Sequence, residues 1–135
     1  MVDHSKEALL QLSAALASAT ASAQSSVVAI RVPQSPPLSG TLWRDNLVVA
    51  SEQVFPGDNA AEIVQSDGAA IRARIAGRDP GTNIVALQLE SPIESDRRGP
   101  ADPALGALVL TLAAGCPGCT AGASRHRALA RAGLA

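Results

Sequence analysis

Between Ser26 and Glu90 the chain keeps starting short apolar runs and keeps stopping them. Val28, Ile30 and Val32 alternate with Val27, Ala29 and Arg31, and Pro33, Pro36 and Pro37 then break the pattern. Further runs follow at Gly40 to Trp43, Leu47 to Ala50, Ala61 to Val64, Ala69 to Gly77 and Ile84 to Leu89. Turn formers divide them: Arg44-Asp45-Asn46, Pro56-Gly57-Asp58-Asn59, Ser66-Asp67-Gly68 and Asp79-Pro80-Gly81. Ile71, Ala73 and Ile75 alternate with Arg72, Arg74 and Ala76, which is the pattern of a strand with one wet face. Short strands separated by turns every ~8 to 12 residues predict a mainly β fold, a barrel or a sandwich.

The side chains available for a core narrow the choice of partners. The hydrophobic fraction is 47%, but 27 residues are alanine, and there is one Phe, one Trp and no Tyr. Val, Ile and Leu must build the core, with Trp43 expected inside it. A net charge of -1 excludes the basic footprint of a nucleic-acid protein or a polybasic membrane surface. Aromatic platforms for stacking single strands are missing too. No apolar stretch approaches the ~20 residues of a membrane span. No cofactor and no metal site is expected.

The ends are of different material. Residues 1–24 are expected to form a helix, with Leu9, Leu12 and Leu16 at helical spacing, Asp3 or Ser5 as cap and Glu7 in the first turn. The rival reading is a secretory signal cleaved at Ala21-Ser22-Ala23, but Asp3 and Glu7 stand where such a signal wants positive charge. A cytoplasmic location is therefore expected ahead of a periplasmic one. Residues 93–104 read as a linker rich in proline and charge, and 105–115 as one further apolar strand. The last stretch, 116–135, holds six Ala, three Gly and three Arg, with no acidic residue and no Val, Ile, Phe or Trp. It is expected to stay disordered, because it cannot bury enough surface to offset its ordering entropy. Cys116-Pro117-Gly118-Cys119 lacks the βαβ setting of a redox dithiol and the four ligands of a zinc site, and is read as a chance motif.

Residues 26 to 90 resemble the N-terminal barrel of the HtrA-type trypsin-like serine proteases. The matching stretches are SSVVAIRV, LSGTLW, LVVASEQVF and AEIVQSDGAAIRARIAGRDPGTNIVALQLE. That family carries a strand-opening Gly-Ser-Gly, a Thr-Asn-x-His-Val, an Asp-Gly hairpin and a Gly-x-Asp-x-x-Thr-Asp-(Ile/Val)-Ala-(Val/Leu)-Leu. Here these become Leu38-Ser39-Gly40, Ala50 to Val54, Asp67-Gly68, and Gly77 to Leu87. The resemblance implies a six-stranded trypsin-like β-barrel over residues 25–92, preceded by the helix and followed by an incomplete second barrel.

It also implies that two catalytic positions are degenerate. Gln53 stands where the family places its histidine, and Asn83 where it places the orienting aspartate. A serine becomes nucleophilic only when a base with a pKa near neutral takes its proton. A carboxamide does not titrate. In the trypsin-like triad, a standard worked case, Asp→Asn alone costs about 10⁴ in turnover. No Gly-x-Ser-Gly-type turn follows Leu105, and Ser124, His4 and His126 lie outside the matching block. Replacing histidine alone would strand a buried carboxylate, so a paired change to amides is physically coherent, and a neutral Gln53–Asn83 contact, direct or through water, is expected.

The function expected is that of a catalytically inactive homologue, a pseudoprotease with a protein or peptide partner. The alternatives are an active serine endopeptidase whose catalytic residues come from elsewhere, and a non-functional truncated product. The truncation reading rests on the abrupt composition change after Gly115 and on ten Arg against one Lys, as out-of-frame reading of GC-rich DNA would give. Self-association is expected from unpaired apolar edges at 105–115.

Overall fold

The computed structural model describes residues 3–57, 60–94 and 102–115. The tail at 116–135, with its Cys-x-x-Cys, Ser124 and His126, lies outside the described residues. Helix α1 spans His4–Ala23, and a single 3-10 turn at Gln24–Ser26 leads into the sheet. Six strands follow: β1 Val27–Arg31, β2 Leu38–Arg44, β3 Leu47–Ser51, β4 Ala61–Val64, β5 Ala70–Asp79 and β6 Ile84–Leu89.

Every neighbouring pair is antiparallel, and the order β1-β2-β3-β6-β5-β4 closes when β1 meets β4. Period-two alternation sends one face of each strand inward. The interior is filled by Val28, Ile30, Val32, Leu42, Val48, Ile63, Val85, Leu87 and Leu89, with Ala61 and Ala73 where the space is narrow. Phe55 and Ile93 close the ends. Ile93, expected in the linker, belongs to the barrel: it is buried, and its N–H donates to Asp45 O at 2.6 Å.

Gly40 is required by close approach. A Cβ there would sit 2.8 Å from Ile30 Cδ1 and 2.8 Å from Val48 Cγ1. Both neighbours are core side chains that cannot swing into solvent, so β2 crosses the interior at the only width glycine permits.

Three expectations change. Trp43 is 62% exposed rather than internal. Its neighbour Leu42 takes the inward position, and alternation, with a bulge between Leu42 and Arg44, turns the indole outward. Hydrophobicity alone misplaced it; the phase of the strand decides. The strand expected over 105–115 reduces to an isolated bridge at Val109, and Leu105 is 98% exposed. Ala29 and Val64 nevertheless lie buried on the outer face of the cylinder, opposite one another in register. Ala114 N–H donates to Ser39 Oγ close by, at 3.0 Å, which places the chain at Ala114 on that outer wall. Finally, α1 begins at Asp3, but only its main chain caps: Lys6 N and Glu7 N donate to Asp3 O, while the carboxylate makes no cap bond. No residue of α1 is buried.

Candidate functional site

The site forms where the end of β3 meets the β5–β6 turn. That turn is built by Asp79. Its Oδ2 accepts from Thr82 Oγ1 at 2.7 Å, and its Oδ1 accepts from Gly81 N–H at 3.0 Å. The Thr82 hydroxyl first, and then the Gly81 amide, hold the Asp79 carboxyl below its ordinary value of 3.8. The chain leaves the turn through Asn83 in the left-handed region, with φ 57°. Asparagine is one of the few side-chain-bearing residues that tolerates this backbone.

From there Asn83 stitches β3 to β6. Its carbonyl accepts from Glu52 N–H at 3.2 Å, continuing the ladder past the Ser51↔Ile84 pair. Its side-chain Oδ1 accepts from Gln53 N–H at 2.9 Å and from Ser51 Oγ at 3.0 Å. A main-chain N–H can only donate, so the oxygen of the carboxamide must face it. Nδ2, a donor, is thereby turned away from Gln53 N.

Gln53 and Asn83 therefore meet, but through the main chain of Gln53. The Gln53 carboxamide is exposed and makes no hydrogen bond to a described residue. The direct contact between the two residues runs from the Gln53 main chain to the Asn83 side chain. His4 is the first residue of α1, away from the barrel sheet.

Sequence reasoning passed over Arg78. Through β5 the inward positions are Ile71, Ala73 and Ile75, and strict alternation would send Arg78 outward. A bulge between Ile75 and Gly77 shifts the phase by one, so Arg78 pairs with the buried Val85 at the mouth of the barrel. Its guanidinium lies 5.9 Å from the Phe55 ring centroid and donates to Phe55 O at 2.9 Å and Gly57 O at 2.5 Å. It pairs with Glu52 at 3.1 Å, and both side chains are more than three-quarters covered. The Glu52–Gly57 loop, which carries Gln53, is thus gripped from below. The available signal was the charge at Arg78 inside the Gly77-to-Leu87 block, next to a glycine that breaks the alternation.

Chemically, this corner offers amides, the hydroxyls of Ser51 and Thr82, and two carboxylates that are both engaged: Glu52 with Arg78, and Asp79 with Thr82 Oγ1 and Gly81 N–H. Among the described residues no three His, Cys, Asp or Glu side chains converge to hold a metal. Val54 and Ile84, each exposed over about half of its surface, give the corner an apolar rim.

A closed six-stranded antiparallel barrel with this strand order is the barrel of the trypsin-like serine proteases, and the fold of the chain is of that class. Many solved structures are similar to it, two of them as follows. One is described as the inactive form of the Rv3671c protease, at 23% identity and TM-score 0.59, over 69% of this chain and 47% of that one. The other is Rv3671c from M. tuberculosis H37Rv as a serine-to-alanine mutant in its inactive form, at 24% identity and TM-score 0.56, over 67% of this chain and 45% of that one. At such identities the likeness is one of fold. The chain spans about half the length of each of these proteins. No family model and no curated protein sequence matches it.

Proposed function

We propose that this chain is a catalytically inactive homologue of the HtrA-type trypsin-like proteases, with protein or peptide recognition as its retained activity. The observation that carries the reading is the hydrogen bonding of Asn83. Its oxygen serves Gln53 N–H and Ser51 Oγ as a structural acceptor, in a corner where neither Gln53 nor Asn83 can take up a proton. A hydrolase of this class needs a base there and a carboxylate behind it. The exposed Gln53 carboxamide and the rim of Val54 and Ile84 instead suit a bound segment that offers main-chain polar groups and small apolar side chains.

The test has two arms. Casein and fluorogenic peptides are incubated with the purified chain, and a fluorophosphonate probe is used to label reactive serines. Turnover at the blank rate and no labelling are expected. Hydrolysis blocked by the phosphonate overturns the proposal. Binding is measured against a display library of peptides, and Gln53→Ala or Val54→Asp is expected to abolish selected binding without unfolding the barrel.

The change of composition after Gly115 supports a second reading of the remaining residues, as an out-of-frame product. Translation of the coding DNA in the two other frames past the Gly115 codon tests it. A resumed β-alternation is expected, and its absence in both frames removes the reading.

A further inference from the structure

We propose that α1 is the surface through which two copies of this chain associate, their helices packed antiparallel. The helix is 20 residues long, about 30 Å, and buries no residue. Leu9, Leu10 and Leu12 are each about half exposed or more. Leu16, Thr20 and Ala23, further along, are half-buried. A helix of this length with so little of its face covered is marginal in water and gains most from packing that face.

The face is specific. Ser5, Leu9, Leu12, Leu16, Ala19 and Ala23 recur at alternating spacings of four and three, which is the a/d seam of a coiled coil. The seam has a wide half of leucines and a narrow half of alanines. In a parallel pair, wide would meet wide and narrow would meet narrow, leaving the alanine half underpacked. Turned antiparallel, Leu9 faces Ala19, Leu12 faces Leu16 and Ser5 faces Ala23, so each layer has comparable volume along the whole contact. The flanking positions include Ala8, Ser13, Ala15 and Thr20, small enough for the axes to come close. Thr20 Oγ1 already donates to Leu16 O at 2.9 Å, so its hydroxyl does not need water at the interface.

Charge selects the same arrangement and the same partner. The helix bears its charged residues, Lys6 and Glu7, in its first turns, beside Asp3 at the cap, and none thereafter. A parallel pair would stack like on like. An antiparallel pair separates them by the helix length and sets Lys6 beside the carbonyl end of its neighbour, where the helix dipole favours a cation. One lysine against two acids is the wrong balance for an anionic lipid surface. A long uncharged seam equally offers nothing to a highly charged partner protein.

The full chain is tested by sedimentation equilibrium from about 1 to 200 µM. A monomer–dimer equilibrium is expected, with Leu12→Glu shifting it at least tenfold towards monomer while Trp43 fluorescence and the melting temperature hold. Orientation is read by electron–electron spin distances in a Cys116→Ser/Cys119→Ser background labelled at Ser5→Cys. Antiparallel packing sets the labels about 27 Å apart, and parallel packing about 10 Å. A monomer at every concentration, a dimer indifferent to Leu12→Glu, a short label distance, or co-sedimentation of α1 with phosphatidylserine vesicles in place of pairing would each overturn the proposal.

Discussion

Asn83 does two jobs that its sequence neighbours cannot. Its backbone turns left-handed at φ 57°, and its side-chain oxygen collects two donors from the end of β3. Substitutions separate the two contributions. Asn83→Ala loses both acceptances and leaves in the left-handed region a residue that tolerates it less well than asparagine, and is expected to cost roughly 1–3 kcal/mol. Asn83→Gly loses the acceptances but relaxes the backbone, so its loss should be smaller. Asn83→Asp keeps an acceptor and should cost least at neutral pH. Urea denaturation of the three variants checks the order; equal losses for Ala and Gly would remove backbone strain from the account. That residues 53 and 83 come together was legible in the sequence, because the block around them is long and regular. The mode of contact was not. Nothing in a linear pattern says that a glutamine will answer through its amide N–H rather than its side chain.

At the scale of elements, the strands were legible wherever alternation was unbroken. Ala61–Val64 and Ile84–Leu89 run over the residues expected of them. One departure occurs at the bulge after Ile75, because an inserted residue shifts every later side chain to the other face, and Arg78 beyond it was passed over. Trp43 departs for another reason: its size suggested the core, whereas plain alternation after the inward Leu42 turns it out. The consequence at Arg78 is measurable. Its planar fork binds two carbonyls and Glu52 at once, which a lysine ammonium cannot reproduce in that geometry. Arg78→Lys is expected to loosen the Glu52–Gly57 loop by about 1–2 kcal/mol. Hydrogen exchange at Phe55 N–H, which donates to Glu52 O at 3.1 Å, should accelerate roughly tenfold, while Leu87 within β6, paired with Val48 and Ile75, remains protected. Unchanged exchange at Phe55 would mean that the loop is held by its own turn alone.

For the whole molecule, the fold class was readable because turn residues and short runs recur at one spacing, and because the core had to be aliphatic. Packing at particular points was not readable. Gly40 looked like part of a motif, whereas its role is to let β2 pass between Ile30 and Val48. Gly40→Val should therefore destabilise the barrel by about 1–3 kcal/mol through overpacking, seen as a lower urea midpoint at unchanged slope. A midpoint equal to the parent's would show that the interior has slack.

Closure of the sheet reaches beyond stability. With β1 laced to β4, the cylinder has no open seam along which a foreign strand could zip itself in. Any molecule that grips the wall of this barrel must do so by the shape and chemistry of side chains. Its recognition repertoire is then written in the outward-facing residues of the strands and in the loops at the two rims, and changes there can alter partners without disturbing the staves.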